Sequence, residues 1–137
     1  MDWKWWFEGY ADDWASGELQ AVAARYGSQF LSAKPGKRAV YDNDQGFVDW
    51  LDRVRGFHAD AGLEKVEVVT LREHSLGAHH LLVSVLWAVR FAKHRSLRIQ
   101  FEISYLLGLD EDGPHILSIV SHEDQREAMR RHELLPR

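Results

Sequence analysis

The stretch from His79 to Phe91, HHLLVSVLWAVRF, and the stretch from Leu97 to Leu109, LRIQFEISYLLGL, decide the fold. In both, the odd-numbered positions are almost all large and apolar, while the even-numbered positions mix polar and apolar side chains. Neighbouring side chains of a strand point to opposite faces of a sheet, so this period of two predicts two long strands with one covered face.

A pairing register of the wrong parity would put the large odd-numbered residues of neighbouring strands on opposite faces, because a slip of one residue turns one strand over. We centre the first loop near His94 and the second on Asp112, which gives the right parity. The facing pairs are Trp87 with Phe101, Val85 with Ile103, Val83 with Tyr105, Tyr105 with Ile119, Ile103 with Ser121 and Phe101 with Glu123. The sequence therefore predicts an antiparallel meander that closes with a strand from His115 to Ser121. Its odd positions from 79 to 121 are expected to face helices.

Two helical patterns come before the strands. An aromatic stripe at helical spacing begins at Trp3 and ends at Trp14. A second, shorter stripe runs from Leu19 to Tyr26 and predicts a helix that ends at Gly27.

A hairpin and a third helix follow. Pro35-Gly36 between two short extended runs predicts a tight turn. Asp42-Asn43-Asp44 supplies N-cap candidates for a helix that closes at Ala61-Gly62. The apolar face of this helix carries Phe47, Val48, Leu51, Val54, Phe57 and His58, with Trp50 beside it. Helices followed by strands of period two predict an α+β domain.

Composition excludes several classes of function. The chain has 137 residues, no Cys, and 17 basic against 21 acidic residues, for a net charge of −4. Without Cys there is no disulfide and no thiolate nucleophile. Without a clustered basic face, neither nucleic acid nor an anionic membrane is an expected partner. No apolar run reaches the roughly 18 residues of a membrane helix and no signal-peptide pattern is present, so a cytoplasmic location is expected.

The eight histidines do not form a recognisable metal motif. His79 and His80 point to opposite faces of their strand. His122-Glu123 resembles the start of a zinc-binding helix, but position 126, where the second His is needed, is Arg126. No metal site and no cofactor are predicted.

Three stretches resemble a known superfamily. Residues 10–18 (YADDWASGE), 47–51 (FVDWL) and 116–124 (ILSIVSHED) resemble the opening helix, third helix and closing strand of SnoaL-like members of the nuclear transport factor 2-like superfamily. The resemblance covers about residues 8–125 and implies a cone, also called a cystatin-like roll, in which a curved antiparallel sheet wraps around N-terminal helices. We expect one domain over residues 1–137, with a short C-terminal helical tail from about residue 122.

The resemblance also implies a pocket inside the cone. We expect it to be lined by aromatic residues and to take a small, largely apolar molecule, with cofactor-independent acid–base chemistry of the isomerase or dehydratase type. A non-catalytic binding or dimeric assembly domain is the alternative. The expected pocket residues are Tyr10, Trp14, Trp50, His58, Trp87, Phe101, Tyr105 and Ser121.

Two residues are candidates for acid–base chemistry. Burial would lower the pKa of His58 and leave a neutral base near pH 7, although a core histidine bonded to backbone is the plainer interpretation. Glu123 would have a raised pKa if it packed against Phe101 and Trp87. Alternatively, Glu123 lies past the strand at a solvated helix N-terminus.

The even-numbered face of the long strands predicts an interface. Its composition is too apolar for free contact with water and too polar for a core, which favours a homodimer packed sheet to sheet. The residues expected there are Leu82, Leu86, Ala88, Arg90, Glu102 and Leu106.

Overall fold

The structure, a computed structural model, describes residues 1–92 and 98–123. Three helices, α1 (Trp3–Ala15), α2 (Leu19–Ala23) and α3 (Gln45–Asp60), are combined with six strands. The strands are β1 (Tyr26–Lys34), β2 (Lys37–Asp42), β3 (Leu63–Ser75), β4 (His80–Phe91), β5 (Arg98–Asp110) and β6 (Gly113–Ser121). The chain is therefore an α+β domain, as the sequence predicts.

Both long helices begin at an aspartate. The Asp2 carboxylate accepts a hydrogen bond from the backbone N–H of Trp5 at 3.0 Å, and the Asp44 carboxylate accepts one from that of Phe47 at 3.1 Å. Each bond satisfies an N–H that has no partner within its helix. The hairpin of β1 and β2 turns at Gly36, whose φ of 78° is unfavourable for residues with a side chain.

The six strands form one curved, open sheet in the order β2-β1-β6-β5-β4-β3. Its β4–β5 pairing has the predicted register, with Trp87 opposite Phe101 and Val83 opposite Tyr105. In β5–β6, Tyr105 lies opposite Ile119 as predicted. All neighbouring pairs are antiparallel except β1 and β6, which run parallel. This one junction departs from the curved antiparallel sheet that the sequence predicts.

The main core lies between the helices and the inner face of the sheet. Phe7 of α1 is fully buried and packs against Trp6 and Tyr105, with both ring-centroid distances 4.8 Å. Burying several aromatic side chains of this size gives the domain most of its hydrophobic stabilisation. A smaller cluster of Ala61, Val89, Phe91 and Ile99 continues the core beyond α3.

Two local predictions were wrong. The second helix ends at Ala23, and Tyr26 already belongs to β1, because the backbone N–H of Ile116 donates to the Arg25 carbonyl at 2.8 Å and brings this segment into the sheet. The rule that odd positions face inward holds along β4 and β5. It breaks in β6, where an irregularity in the register turns Ile116 inward and buries it completely.

The predicted C-terminal helical tail lies outside the described residues, apart from its first positions, His122 and Glu123. The single-domain boundaries stay a prediction. No helix among residues 1–92 and 98–123 is long and apolar enough to cross a membrane.

Candidate functional site

A cluster of tyrosine hydroxyls lies inside the aromatic core. The hydroxyls of Tyr10 on α1 and Tyr26 on β1 are 2.6 Å apart, and the Trp87 indole N–H donates to the Tyr105 hydroxyl at 3.0 Å. The Tyr10 ring is 6.1 Å from that of Trp87 and 6.3 Å from that of Tyr105. The fold therefore brings three of the predicted pocket residues, Tyr10, Trp87 and Tyr105, together.

Burial keeps these hydroxyls protonated. It raises the pKa of Tyr10 to about 12, and it raises the pKa values of Tyr26 and Tyr105 well above their ordinary value. A tyrosine that holds its proton is a hydrogen-bond donor at any physiological pH. In the Tyr10–Tyr26 pair one hydroxyl donates to the other, so one hydroxyl proton is available for a further acceptor.

Tyr10 also keeps part of its surface accessible to solvent, unlike Tyr105, which is only 1% exposed. Tyr10 is therefore the member of this cluster that solvent reaches more readily, and the candidate site is taken to be the inner side of α1 beside it.

His58 on α3 has the same combination of properties. Its ring centroid lies 5.7 Å from that of Trp14 and 6.4 Å from that of Phe91, and part of its surface remains accessible. Desolvation lowers its pKa to about 4, so the imidazole is neutral at pH 7. Among residues 1–92 and 98–123 its Nδ1 has no hydrogen-bond partner. A lowered pKa is the direction that the sequence predicts for a buried His58.

Helical spacing connects the histidine to the tyrosines. Tyr10 and Trp14 are four residues apart on α1 and so lie on one face, about 6 Å apart along the axis. Because Trp14 contacts His58, the neutral imidazole and the tyrosine cluster both lie against the same face of α1. A neutral base and a neutral hydrogen-bond donor are the minimum that general acid–base chemistry needs.

The other predicted pocket residues lie at different distances from this region. Phe101 is half-buried opposite Trp87 and packs against both core clusters. Ser121 lies opposite Ile103, and its hydroxyl donates to the Glu123 carbonyl at 2.8 Å. Trp50 is 51% exposed and stacks on Phe47 at 6.2 Å, so it is not brought together with the tyrosines.

Glu123 does not pair with Phe101 as one interpretation of the sequence required. The β5–β6 ladder ends at Ile103 and Ser121, and Glu123 follows β6 in a bend. Its position past the strand agrees with the alternative interpretation. His58 is therefore the better supported of the two acid–base candidates.

A groove lies at the far end of the sheet, on β4, β5 and β6, away from these residues. It is open, has a volume of about 620 Å³, and its polar lining includes His79, His80, Asp110, Glu111 and His115. In the described part of the chain, no group of three or more His, Asp or Glu residues is arranged to hold a metal ion.

A profile of the protein family described as NTF2-like protein (DUF6841) matches residues 2–124. The chain belongs to this NTF2-like family. The match spans α1 to the end of β6, and with it the region around Tyr10 and His58. No curated protein matches the sequence.

Solved structures share the NTF2-like fold at low sequence identity. An NTF2-like protein of unknown function from Shewanella oneidensis has a TM-score of 0.65 at 17% identity, over 85% of this chain and 93% of that one. A SnoaL-like protein from Shewanella denitrificans gives 0.58 at 12% identity, over 93% of both chains. A protein with a ketosteroid isomerase-like fold from Catenulispora acidiphila, in complex with trimethylamine, gives 0.58 at 16% identity, over 93% and 90%. At these identities the likeness concerns the fold alone.

Sequence reasoning missed two residues of the candidate site. Tyr26 was assigned to a helix, although Tyr26 and Phe30 share strand parity and both are buried. Phe91 was predicted to face inward, but nothing local connects it with His58. The signal in the sequence was that Tyr26 and Phe30 are an even number of residues apart, as residues on one face of a strand are, in the run that leads to the Pro35-Gly36 turn.

Proposed function

We propose that the chain binds a small, largely apolar molecule carrying a carbonyl group in the aromatic region beneath α1, and that His58 acts there as a neutral general base without a cofactor. The observation that carries the proposal is the Nδ1 of His58, which has no hydrogen-bond partner in the described part of the chain and lies in an aromatic setting, with the pKa of the ring lowered to about 4. A buried polar atom without a partner costs free energy, which a ligand hydrogen bond would recover.

The proposed reaction is an isomerisation by proton transfer. The imidazole takes a proton from the carbon next to the carbonyl, while the spare hydroxyl proton of the Tyr10–Tyr26 pair is donated to the carbonyl oxygen and stabilises the developing enolate. The imidazolium then returns the proton to a different carbon of the same molecule. No atom is gained or lost, and no oxidant or metal is needed. Because the pKa of His58 is about 4, its conjugate acid gives the proton back readily.

Other observations agree with an apolar ligand. The walls are aromatic rings, and the hydroxyl groups stay uncharged because burial raises the pKa values of Tyr10, Tyr26 and Tyr105. We also propose that the protein is located in the cytoplasm.

The experiment uses a panel of cyclic β,γ-unsaturated ketones, whose conversion to the conjugated isomer is followed by ultraviolet absorbance. Binding is followed separately by quenching of tryptophan fluorescence. The His58→Gln variant is expected to bind the ketone but to isomerise it about 10²–10⁴-fold more slowly. His80→Gln, an exposed substitution in β4, is the matched control and retains the native rate.

Two results would contradict this proposal. If no ketone of the panel quenches the fluorescence or raises the melting temperature, binding in the aromatic region is wrong. If ketones bind and His58→Gln isomerises them at the native rate, the region binds ligands but His58 is not the base.

A second candidate function is dimeric assembly through the outer face of the sheet. Leu82, Leu86 and Leu106 are only half-buried there, and Val120 is 41% exposed. Arg90 and Glu102, also predicted for this interface, offer charges of opposite sign, whereas Ala88 is already 1% exposed and has little surface left to bury. Light scattering tests the candidate: the mass should be twice 15.9 kDa for the native chain and 15.9 kDa for Leu86→Arg. A native chain that stays at 15.9 kDa at 100-fold dilution and at high concentration alike contradicts it.

A further inference from the structure

A chain of polar side chains crosses the outer face of the sheet, on the side opposite to the tyrosine cluster. Glu102 and Ser104 are two residues apart on β5 and so lie on the same face of the sheet. Ser84 of β4 lies directly opposite Ser104. His122 follows β6, and its backbone N–H donates to the Glu102 carbonyl at 3.1 Å. This bond places the imidazole beside Ser104, although the histidine lies past the end of its own strand.

Two of the distances within this group are those of hydrogen bonds to a single hydroxyl. Ser104 Oγ lies 2.8 Å from His122 Nε2 and 2.7 Å from Ser84 Oγ. On the other side of the ring, His122 Nδ1 faces Glu102 Oε2 at 3.7 Å, and the other oxygen of Glu102 is paired with the Arg72 guanidinium. A hydroxyl, a base within hydrogen-bond reach and a carboxylate facing the base form the arrangement that activates serine nucleophiles.

One arrangement of the hydrogens makes His122 Nε2 an acceptor. A carboxylate only accepts, so an imidazole that carries its proton on Nδ1, towards Glu102, presents a lone pair at Nε2. In this tautomer Ser104 donates its single hydroxyl proton to Nε2. Ser84, 2.7 Å away, is left to donate to Ser104 Oγ. The hydroxyl donors of this group therefore point the same way, from Ser84 through Ser104 to His122.

We propose that Ser104 is a nucleophile and His122 its general base, and that together they accept an acyl group from a small ester with an apolar acyl chain. Ser104 Oγ forms a bond to the carbonyl carbon, its proton passes to His122 Nε2, and the departing alcohol oxygen takes that proton as its bond to carbon breaks. Water then attacks the acyl-serine with the same histidine as base, which releases the acid and restores the hydroxyl.

The surroundings of Ser104 fit an uncharged apolar acyl group. Val120, its neighbour across the β5–β6 ladder, is 41% exposed, and Leu86 and Leu106 are half-buried on the same face. Ser104 is itself half-buried, so a flat or short acyl group reaches it from solvent. Nothing in this proposal depends on the region around His58, which lies on the other side of the sheet.

Labelling with an alkyl fluorophosphonate tests the nucleophile directly. The Ser104 oxygen displaces fluoride from phosphorus, His122 takes the hydroxyl proton, and mass spectrometry of the digested chain identifies the modified residue. We expect label on Ser104 of the folded chain at a rate about 10²–10⁴-fold above that of the same chain unfolded in urea. His122→Gln is expected to lose this advantage, and Ser104→Ala to lose the label altogether.

Ser118→Ala is the matched control, because Ser118 lies on the same outer face but opposite Leu106 rather than beside a histidine. It should label like the native chain. The labelling is performed at a concentration at which light scattering gives the mass of one chain, because a dimer across this face would cover Ser104. Folded monomer that labels no faster than the unfolded chain, or that carries label elsewhere, overturns the proposal.

A second measurement stands whether or not the variants fold. Nitrogen NMR of the histidine rings distinguishes a proton on Nδ1 from one on Nε2. Free histidine side chains favour the Nε2 proton, whereas the arrangement described requires neutral His122 to carry it on Nδ1. Finding the proton of neutral His122 on Nε2 overturns the assignment of this ring as the base, since Nε2 then has no lone pair for the Ser104 proton.

Discussion

The two faces of strands β4 and β5 are built from alternating residues of the same chain, yet their polar groups differ in how far they are shielded from water. On the inner face, Tyr105 is 1% exposed and accepts a hydrogen bond from Trp87 at 3.0 Å. On the outer face, its neighbour Ser104 is half-buried and bonds to Ser84 at 2.7 Å and His122 at 2.8 Å. The bonds are similar in length, but only the inner one is closed off from water.

Burial therefore decides how much each interaction contributes. Inside, desolvation moves the pKa of Tyr10 to about 12 and that of His58 to about 4, and a lost partner leaves a polar atom that water does not reach. Outside, water replaces a lost partner at little cost. Substitutions on the inner face should thus change the stability of the protein strongly. Substitutions on the outer face should change stability little and affect mainly the chemical reactivity of the side chains there.

The largest expected effect is on the inner face, at Phe7. Phe7 is fully buried between Trp6 and Tyr105, so Phe7→Ala removes a whole ring and leaves a cavity. We expect the free energy of unfolding in urea to fall by about 3–5 kcal/mol. Trp5→Ala, on the same helix but 70% exposed, should change it by less than about 0.5 kcal/mol. Similar losses in the two variants would contradict the contrast between the faces.

Strand parity made this contrast predictable from sequence for β4 and β5. A one-residue slip would have put Trp87 and its partner Phe101 on opposite faces, so the hydrophobic pattern fixes the parity of the register observed. The pattern fails at Ile116, because an irregularity in β6 cannot be seen in a run of residues that are apolar on both faces. It also fails at Tyr26, which fits the helical spacing from Leu19 and is drawn into the sheet only by pairing with a distant strand.

The candidate sites were less predictable than the fold. The sequence places His58 on an apolar helix face, but whether its Nδ1 is bonded depends on Phe91 and Trp14, which arrive from other elements. The proximity of His122 to Ser104 depends on a single backbone bond to Glu102 beyond the end of β6. Distances of this kind are set by tertiary packing, which local periodicity does not encode.

The next effect in size is the pH dependence that His58 gives to stability. Its pKa falls from an ordinary 6.5 to about 4 on folding, so between these values the unfolded chain binds a proton that the folded chain does not. The contribution is fully present above about pH 6.5 and is lost as the pH falls towards 4. Between pH 7.5 and pH 5 the native chain should lose about 2 kcal/mol more than His58→Gln.

Urea unfolding at the two pH values measures this difference. His80→Gln, an exposed histidine in β4, is the control and should follow the native chain. If His58→Gln and the native chain lose the same free energy between pH 7.5 and pH 5, then His58 is not desolvated in the folded state. The proposed base would fail with it.

A smaller effect is expected on the outer face at Gly108. A Cβ at this position would lie 2.9 Å from Cδ1 of Leu117, whose side chain also lies close to Gly27. Since the obstacle is the end of a leucine side chain, Gly108→Ala should cost only about 1 kcal/mol. Adding Leu117→Ala should remove that penalty, which a double-mutant cycle measures as coupling.

Gly56→Ala in α3, where a Cβ meets nothing within 4 Å, should instead stabilise the chain by about 0.5–1 kcal/mol.

The smallest effect on stability is expected for an ion pair on the outer face, where a substitution should change a pKa but hardly change the free energy of unfolding. Burial tends to raise the pKa of Glu67, but the Arg98 hydrogen bond and the charges of Lys65 and Arg98 outweigh it and hold that pKa below its ordinary value. The Arg98–Glu67 ion pair, at 2.9 Å between Nη2 and Oε1, is open to solvent on both sides. Arg98→Met should therefore raise the pKa of Glu67, as read from its carboxyl carbon resonance. It should lower the free energy of unfolding by less than about 1 kcal/mol, and even that difference should shrink in about 1 M salt. A loss as large as that of Phe7→Ala would mean that this outer pair is shielded from water after all, and the contrast between the two faces would not hold.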